Sequence, residues 1–535
     1  MKESSGSVNP EEHKNRSFLG GKIEPREYQV NLYREAIERN TLIVLPTGLG
    51  KTVIAAMVAE HVLLNSNEKV IFLAPTRPLI TQHYETFKKL LGLQDSEISK
   101  FTGEVDNEDR LLQWVTSRVV IATPQVVLND MRNGLFNISK FGLIIFDEAH
   151  RATGNYAYVE IARNFLESRR RLILGITASP GGDREKLNEI NAVLGIEAVR
   201  IKSESDPDVQ KYMGGIDIKV TKLELPDYIR DVSGLLRKVI DRITDKIKPA
   251  GIMTPGRFSR SELASKIGEV IERARNGENN LFSVVTYISA AIRLDYLLEY
   301  LESQGVDIAY DYVTEILGSE EKTLKKTATI VSKIPEFNQF LVKLKDLKDR
   351  KLENPKMVAV LRMCEEQISG NQDSRVIVFT HFRKTSDLLT TYLKEKSTFL
   401  RPIRFIGQST KSGDDGLKQK DQDVILQKFR NNIFNVLVAT SVAEEGLDIP
   451  ATDLVIFFEP VPSEIRSIQR RGRTGRTHAG TVRILMYEGT RDAGYYFSAV
   501  RKESRMKKNI QKLQDDQPET RKRVRGTRPS LDDFS

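Results

Sequence analysis

A glycine-bearing loop and a pair of adjacent carboxylates are the residues in this chain best suited to phosphate chemistry. Leu45 to Thr52 reads L-P-T-G-L-G-K-T. Gly48 and Gly50 let the backbone curl until successive N–H groups converge on phosphate oxygens, helped by the positive end of a following helix. Within Thr47 to Thr52, Lys51 can reach the β- and γ-phosphates of ATP, and the Thr52 hydroxyl can ligate Mg²⁺. The full pattern G-x-x-x-x-G-K-[ST] asks for glycine where Leu45 stands. Asp147-Glu148-Ala149-His150 closes an apolar run. There Asp147 can hold Mg²⁺, directly or through water, while Glu148 polarises a water in line with the γ-phosphate. The segment from Gln469 to Arg476 carries four arginines in seven residues, Arg470, Arg471, Arg473 and Arg476. Such a run is either a basic surface or, at the start of a helix in a second domain, a source of arginine fingers worth ~10³–10⁵ in rate. Gln29 is either a solvent-facing helix residue or a reader of the adenine N6/N7 edge.

These side chains need elements to position them. Leu42-Ile43-Val44 leads into the loop and a helical pattern, Val53 to Leu64, leads out. Val70 to Leu73, Val119 to Ile121, Leu143 to Phe146 and Leu172 to Leu174 are further short apolar runs. Continuous apolarity predicts strands covered on both faces, hence a parallel sheet wrapped by helices. Ligand chemistry belongs at the carboxyl ends of such strands, where Thr76-Arg77, Thr123-Pro124, Asp147-Glu148 and Thr177-Ala178-Ser179 stand. Ile216 to Leu225 reads as a strand or extended linker. Apolar residues from Ile229 to Ile247 then recur at helical spacing, with Arg230, Arg237, Lys238, Arg242 and Lys246 on the other face, and helices follow at 262–275 and 281–303. From Asn354 the α/β pattern resumes, with strands at 375–379, 435–439, 454–458 and 482–486. The expected fold is α/β, two parallel-sheet domains with a helical insertion between them. Its divisions are a flexible start (1–20), an ATP-binding domain (21–202), a helical insertion domain (203–350), a second parallel-sheet domain (351–500) and a basic tail (501–535).

Composition narrows the class. Of 535 residues 39% are hydrophobic and 29% charged, as in ordinary globular chains. No sequence run approaches the ~20 apolar residues of a membrane span, and a cytoplasmic chain, nucleoid-associated if it acts on DNA, is expected. The single cysteine, Cys364, excludes an internal disulfide and reads as a buried helix thiol. A net charge of +9 suits a polyanionic partner.

P-T-G-L-G-K-T, D-E-A-H and T-A-S-P, in that order, resemble the first motor domain of a superfamily 2 helicase. The string from Asp147 to Tyr158, and the stretches 416–420 and 438–450, resemble the archaeal Hef proteins and their Fanconi-anaemia M-type relatives. The likeness covers roughly residues 20–500 and implies that the two parallel-sheet domains are RecA-like and the helical insertion thumb-like. It implies that Thr76, Arg77, Thr123 and Pro124 lie along one nucleic-acid strand, with Thr380 and Thr440 on the second domain. It implies that His150, Thr177 and Ser179 couple nucleotide state to strand grip, and that Arg473 and Arg476 are the fingers. Gln469 would position the γ-phosphate or water, and Gly446 and Asp448 would meet the ribose and the coupling network. The insertion would clamp duplex nucleic acid. The nuclease domain of many Hef proteins is not implied for this chain. The implied activity is an ATP-dependent DNA helicase or translocase on forked or branched DNA in fork repair. The alternatives are a double-stranded-RNA-stimulated ATPase and a clamp-tethered scaffold with an ATP switch. The ending Arg528 to Ser535 resembles a sliding-clamp peptide in which Leu531 and Phe534 are anchors.

Overall fold

The structure is a computed structural model that describes residues 18–103, 107–167, 171–179, 184–203, 206–212, 215–252, 259–278, 281–408, 416–441, 449–474 and 480–515. Seven strands form the first sheet: β1 (Thr41–Val44), β2 (Lys69–Leu73), β3 (Ile98–Phe101), β4 (Val119–Ala122), β5 (Phe141–Asp147), β6 (Leu172–Thr177) and β7 (Ala198–Ile201). Their order is β3-β4-β2-β5-β6-β1-β7, and the pairings are parallel. Alternate residues of one strand serve two different cores. Ile43, Val70 and Phe72 pack with the helices on one face, while Leu42, Val44, Ile71 and Leu73 pack on the other. That is why the strand sequences are apolar throughout rather than alternating. Leu19, at the edge of the stretch expected to be flexible, is buried in the first of these cores.

The second sheet holds β8 (Ile216–Leu223), β9 (Val376–Phe379), β10 (Pro402–Phe405), β11 (Val436–Ala439), β12 (Leu454–Phe457) and β13 (Gly480–Tyr487), ordered β10-β11-β9-β12-β13-β8. β8 runs parallel to β13 over its whole length. The segment that reads as a strand or linker is therefore an edge strand of the second sheet, and the helical insertion is threaded between β8 and β9. Cys364 is buried on the helix Pro355–Gly370, as expected.

Helices Asp227–Ile247, Arg260–Arg275, Leu281–Glu299, Val306–Gly318, Lys322–Val331 and Pro335–Asp349 build the insertion around one apolar core. The predicted stripe, Ile229 through Ile247, is its spine. Leu281–Gln304 is long and apolar enough, by length and composition, to cross a membrane. Leu281, Val284, Ile288, Leu294 and Leu298 on it are buried in this core, while Phe282 and Tyr296 are exposed. Three arginines of the basic helix faces, open to reading as solubilising or as a duplex clamp, are engaged within the chain: Arg230 with Asp227, Arg237 with Glu302, and Arg242 with Glu336.

Leu281–Glu299 ends in a π-helical turn, Tyr300–Gln304, that joins the insertion to the second sheet. Fully buried Lys356 Nζ donates to Asp492 Oδ2 (2.6 Å) and to the Ser303 carbonyl (3.2 Å). The Ser303 hydroxyl donates to the other Asp492 oxygen (2.6 Å). Gln304 Nε2 donates to Glu459 (3.3 Å) and its Oε1 accepts from Thr385 (2.8 Å).

Candidate active site and nucleic-acid cleft

The phosphate loop follows β1, and its two glycines both sit at positive φ, +84° at Gly48 and +78° at Gly50. Gly50 also caps the helix Lys51–Asn65, and a Cβ there would lie 2.4 Å from Gln29 Nε2. Gln29 is buried, not solvent-facing. Its Oε1 accepts from the Arg26 N–H (2.9 Å), closing the helix Glu27–Ala36, and its Nε2 donates to the Leu49 carbonyl (3.1 Å). The Tyr28 hydroxyl donates to that same carbonyl (2.7 Å), a support the sequence reading missed. Leu45 continues β1 instead of opening the loop. Its N–H donates to the Thr177 carbonyl (3.0 Å) and its side chain fills the core, which accounts for leucine at the glycine position. Lys51 Nζ rests on the Leu45 carbonyl (3.0 Å).

Asp147 and Glu148 end β5 with different exposures. Asp147 is buried, its carbonyl accepting from the Tyr158 hydroxyl (2.7 Å) and its Oδ2 standing 3.0 Å from His83 Nε2. Burial raises the Tyr158 hydroxyl well above the usual tyrosine range, so it stays a donor. Glu148 adopts the left-handed conformation (φ 49°, ψ 49°), which turns its carboxylate away from the strand line. His150 Nδ1 lies 3.3 Å from Glu148 Oε2 and 3.1 Å from the Thr177 hydroxyl. The Thr177 hydroxyl in turn accepts from the Ser179 N–H (3.2 Å). The Ser179 hydroxyl donates to Met506 Sδ (3.0 Å) on the helix Arg491–Asp515. The three residues assigned to coupling are thus one hydrogen-bonded chain beginning at Glu148, and it ends on a helix that leaves the second sheet.

The opposing wall is the helix Glu464–Arg471 and the residues after it. The arginine segment was expected at a helix start; it lies at a helix end, with Gly472 as the C-cap. The reason is the cap sequence itself, since Ser463 accepts from the Arg466 N–H and starts the helix earlier. Its arginines divide by task. Arg470 is fully buried with its guanidinium 4.9 Å from the Phe379 ring centre and 5.5 Å from that of Phe457. Arg471 pairs with Glu503 (2.6 Å). Arg473 and Gln469 are buried at this wall. Gly472 touches the phosphate loop: a Cβ built there would lie 1.5 Å from Thr47 Oγ1. Arg476, Gly446 and Asp448, as well as Leu531 and Phe534, lie outside the described residues.

A second cleft of about 1120 Å³ is lined by Arg77, Thr81, Gln82, Glu85 and Lys100 on one side and Lys418, Lys420, Asp423 and Arg430 on the other. Thr123 follows β4 and Thr440 follows β11, the second strands of their sheets, and both are largely buried, 9% and 6% exposed. Thr76 and Pro124 stand at the starts of the helices Arg77–Leu91 and Pro124–Arg132. Thr380 corrects the expectation: it is fully buried, its hydroxyl 3.5 Å from Glu459, and turned into the second domain instead of toward a strand.

Comparison with known proteins agrees with this geometry. Residues 22–182 match the family described as Type III restriction enzyme, res subunit, and residues 357–478 match the helicase conserved C-terminal domain. The crystal structure of the Pyrococcus furiosus Hef helicase domain superposes with a TM-score of 0.68 at 39% identity, covering 89% of this chain and 98% of that one. A Methanocaldococcus jannaschii protein with a provisional ATP-dependent RNA helicase name, MJ1505, is 36% identical over 92% of this chain and 61% of its own length. The ATP-dependent DNA helicase mph1 of Aspergillus fumigatus is 31% identical over 88% of this chain and 45% of its own length. This chain therefore spans about half to three fifths of the curated relatives it matches. A family match on each parallel-sheet domain, together with the Hef structural neighbour, shows a superfamily 2 helicase module. Within that class, the chain belongs to the Hef helicase family.

Proposed function

We propose that this chain is an ATP-driven DNA translocase that remodels forked or branched DNA, hydrolysing ATP where Gly472 meets Thr47. That contact carries the reading, because it puts the arginine wall and the phosphate loop on one site. Lys51 exchanges the Leu45 carbonyl for phosphate oxygens, and Glu148, steered by its left-handed backbone and by His150, orients the attacking water. Arg473 and Arg476 bring positive charge to the transferring group when the walls close. Thr52 and Asp147 would hold Mg²⁺. Among the described residues no cluster of three or more His, Cys, Asp or Glu could cage an ion. One carboxylate, one hydroxyl and the nucleotide's own phosphates fit the sparse protein ligation that Mg²⁺ accepts. When bound, the ion would neutralise charge on the phosphates.

Thr123 and Thr440, on separate sheets, are suited to grip one strand at two points, with the lysines and arginines of the second cleft on its phosphates. Such contacts position without reading sequence. The test is ATPase stimulation at equal salt by forked DNA, linear duplex DNA and duplex RNA. Forked DNA should stimulate most. Equal or greater stimulation by duplex RNA would replace this reading with the RNA one, which the name of the M. jannaschii relative favours.

A further inference from the structure

We infer that His83 is a positioning residue that fixes the Asp147 carboxylate for Mg²⁺ and links it to the helix lining the nucleic-acid cleft. The inference rests on the assignment of Asp147 proposed above. His83 and Asp147 are both buried, with side chains 5% and 6% exposed, and His83 Nε2 lies 3.0 Å from Asp147 Oδ2. A carboxylate can only accept, so Nε2 carries the hydrogen. The ring is held at a 41° tilt to Phe72, centroids 4.4 Å apart. Its other nitrogen, Nδ1, is buried without a hydrogen-bond partner among the described residues. A buried nitrogen left unpaired costs stability, so an apolar side chain would serve packing better here. Among the described residues, the polar contact the imidazole makes is the one to Asp147. Since Tyr158 holds the carbonyl of the same residue, Asp147 is fixed by main chain and by one carboxylate oxygen, leaving Oδ1 for the metal or its water.

The place of His83 gives that contact a second consequence. The helix Arg77–Leu91 turns Arg77, Thr81 and Gln82 to the cleft and His83 to the ATP site. Six residues of helix, about 9 Å, separate the first cleft residue from the imidazole. A strand that shifts this helix moves the donor on the magnesium-side carboxylate.

The experiment titrates Mg²⁺ against a fluorescent, non-hydrolysable ATP analogue on the full chain, with and without single-stranded DNA, for wild type, Asp147→Asn, His83→Leu and His83→Gln. His83→Leu should raise the Mg²⁺ midpoint about 10–100-fold, the usual effect of losing a partner behind a metal ligand. It should also abolish the shift that DNA causes, and leave nucleotide binding in EDTA unchanged. His83→Gln, whose amide N–H can reach the same oxygen, should stay near wild type. If Asp147→Asn moves the midpoint and His83→Leu does not, His83 is a packing residue and the inference is overturned. An unchanged DNA effect in His83→Leu overturns the link to the cleft. If Asp147→Asn itself leaves the midpoint unmoved, the metal assignment falls and this inference with it. Should His83→Leu not fold, His83→Asn, too short to reach, replaces it; equal midpoints for Asn and Gln overturn the proposal.

Discussion

Glu148 holds a backbone conformation that a non-glycine residue reaches at a cost of about 1–2 kcal/mol, and it does so immediately after β5, with its carboxylate beside His150. Glutamine carries the same backbone cost and nearly the same shape. Glu148→Gln should therefore lower kcat about 10²–10⁴-fold, the range for losing a general base, with no change in thermal stability. Lys51→Ala should abolish turnover and spare DNA binding in a fluorescence-anisotropy titration. Full ATPase in either variant would remove the site from where it has been placed. Gly472 makes a different kind of prediction. Its φ of −65° is open to any residue, so alanine is tolerated by the local backbone. The obstacle is Thr47, 1.5 Å from the new methyl. Gly472→Ala should keep its melting temperature while DNA-stimulated ATPase drops by at least about tenfold, roughly 1.4 kcal/mol of lost transition-state stabilisation.

Among the elements, the π-helical turn Tyr300–Gln304 and the start of the helix Pro355–Gly370 decide how the insertion is attached. Lys356 and Asp492, 0% and 2% exposed, form a buried ion pair. Removing one partner strands the other charge, an effect of about 3–5 kcal/mol. Lys356→Met should lower the denaturation midpoint accordingly and loosen the insertion in hydrogen exchange, although residue 356 lies far along the chain from most of it. Glu459 sits on the same network, and burial raises its carboxyl above the usual range despite Lys356 and Arg470 nearby. A raised acid contributes stability that is fully present below its unfolded value, near 4.5, and is lost as pH rises through the folded value. The stability difference between wild type and Glu459→Gln should move against wild type over that window. A flat difference would mean the carboxyl titrates normally.

For the molecule as a whole, the two α/β domains meet where Gly472 touches Thr47 and also border a second cleft whose lining is mostly basic, with Glu85 and Asp423 among it. In the proposed DNA complex, phosphate contacts dominate that cleft, so binding should weaken steeply with salt. Lys418→Ala with Lys420→Ala should lower the slope of log K against log salt by roughly 0.7–0.9 per lost phosphate contact, without changing sequence preference. In the proposed cycle DNA and ATP both draw the walls together, and on that reading each should tighten the other by the same factor. A third connection joins the domains: the helix Arg491–Asp515 reaches back so that Met506 meets Ser179 and packs with Leu187.

The sequence by itself determined the chemistry held in single stretches, and the central strands. P-T-G-L-G-K-T and D-E-A-H are legible because neighbouring positions act on one group, and buried strands are legible because both faces must be apolar. The strands left unread or ambiguous, β3, β7, β8 and β10, are the four sheet edges. Edges meet water along one side and carry residues such as Lys100, Arg200, Lys219 and Arg404, which break the apolar signal. Only the tertiary structure decided that His83 donates to Asp147, that Arg470 is buried beneath two phenylalanines while Arg473 stays at the wall, and that Thr380 turns inward. Periodicity records that a residue is buried, not what it is buried against; that partner is chosen by which strands and helices the fold sets side by side.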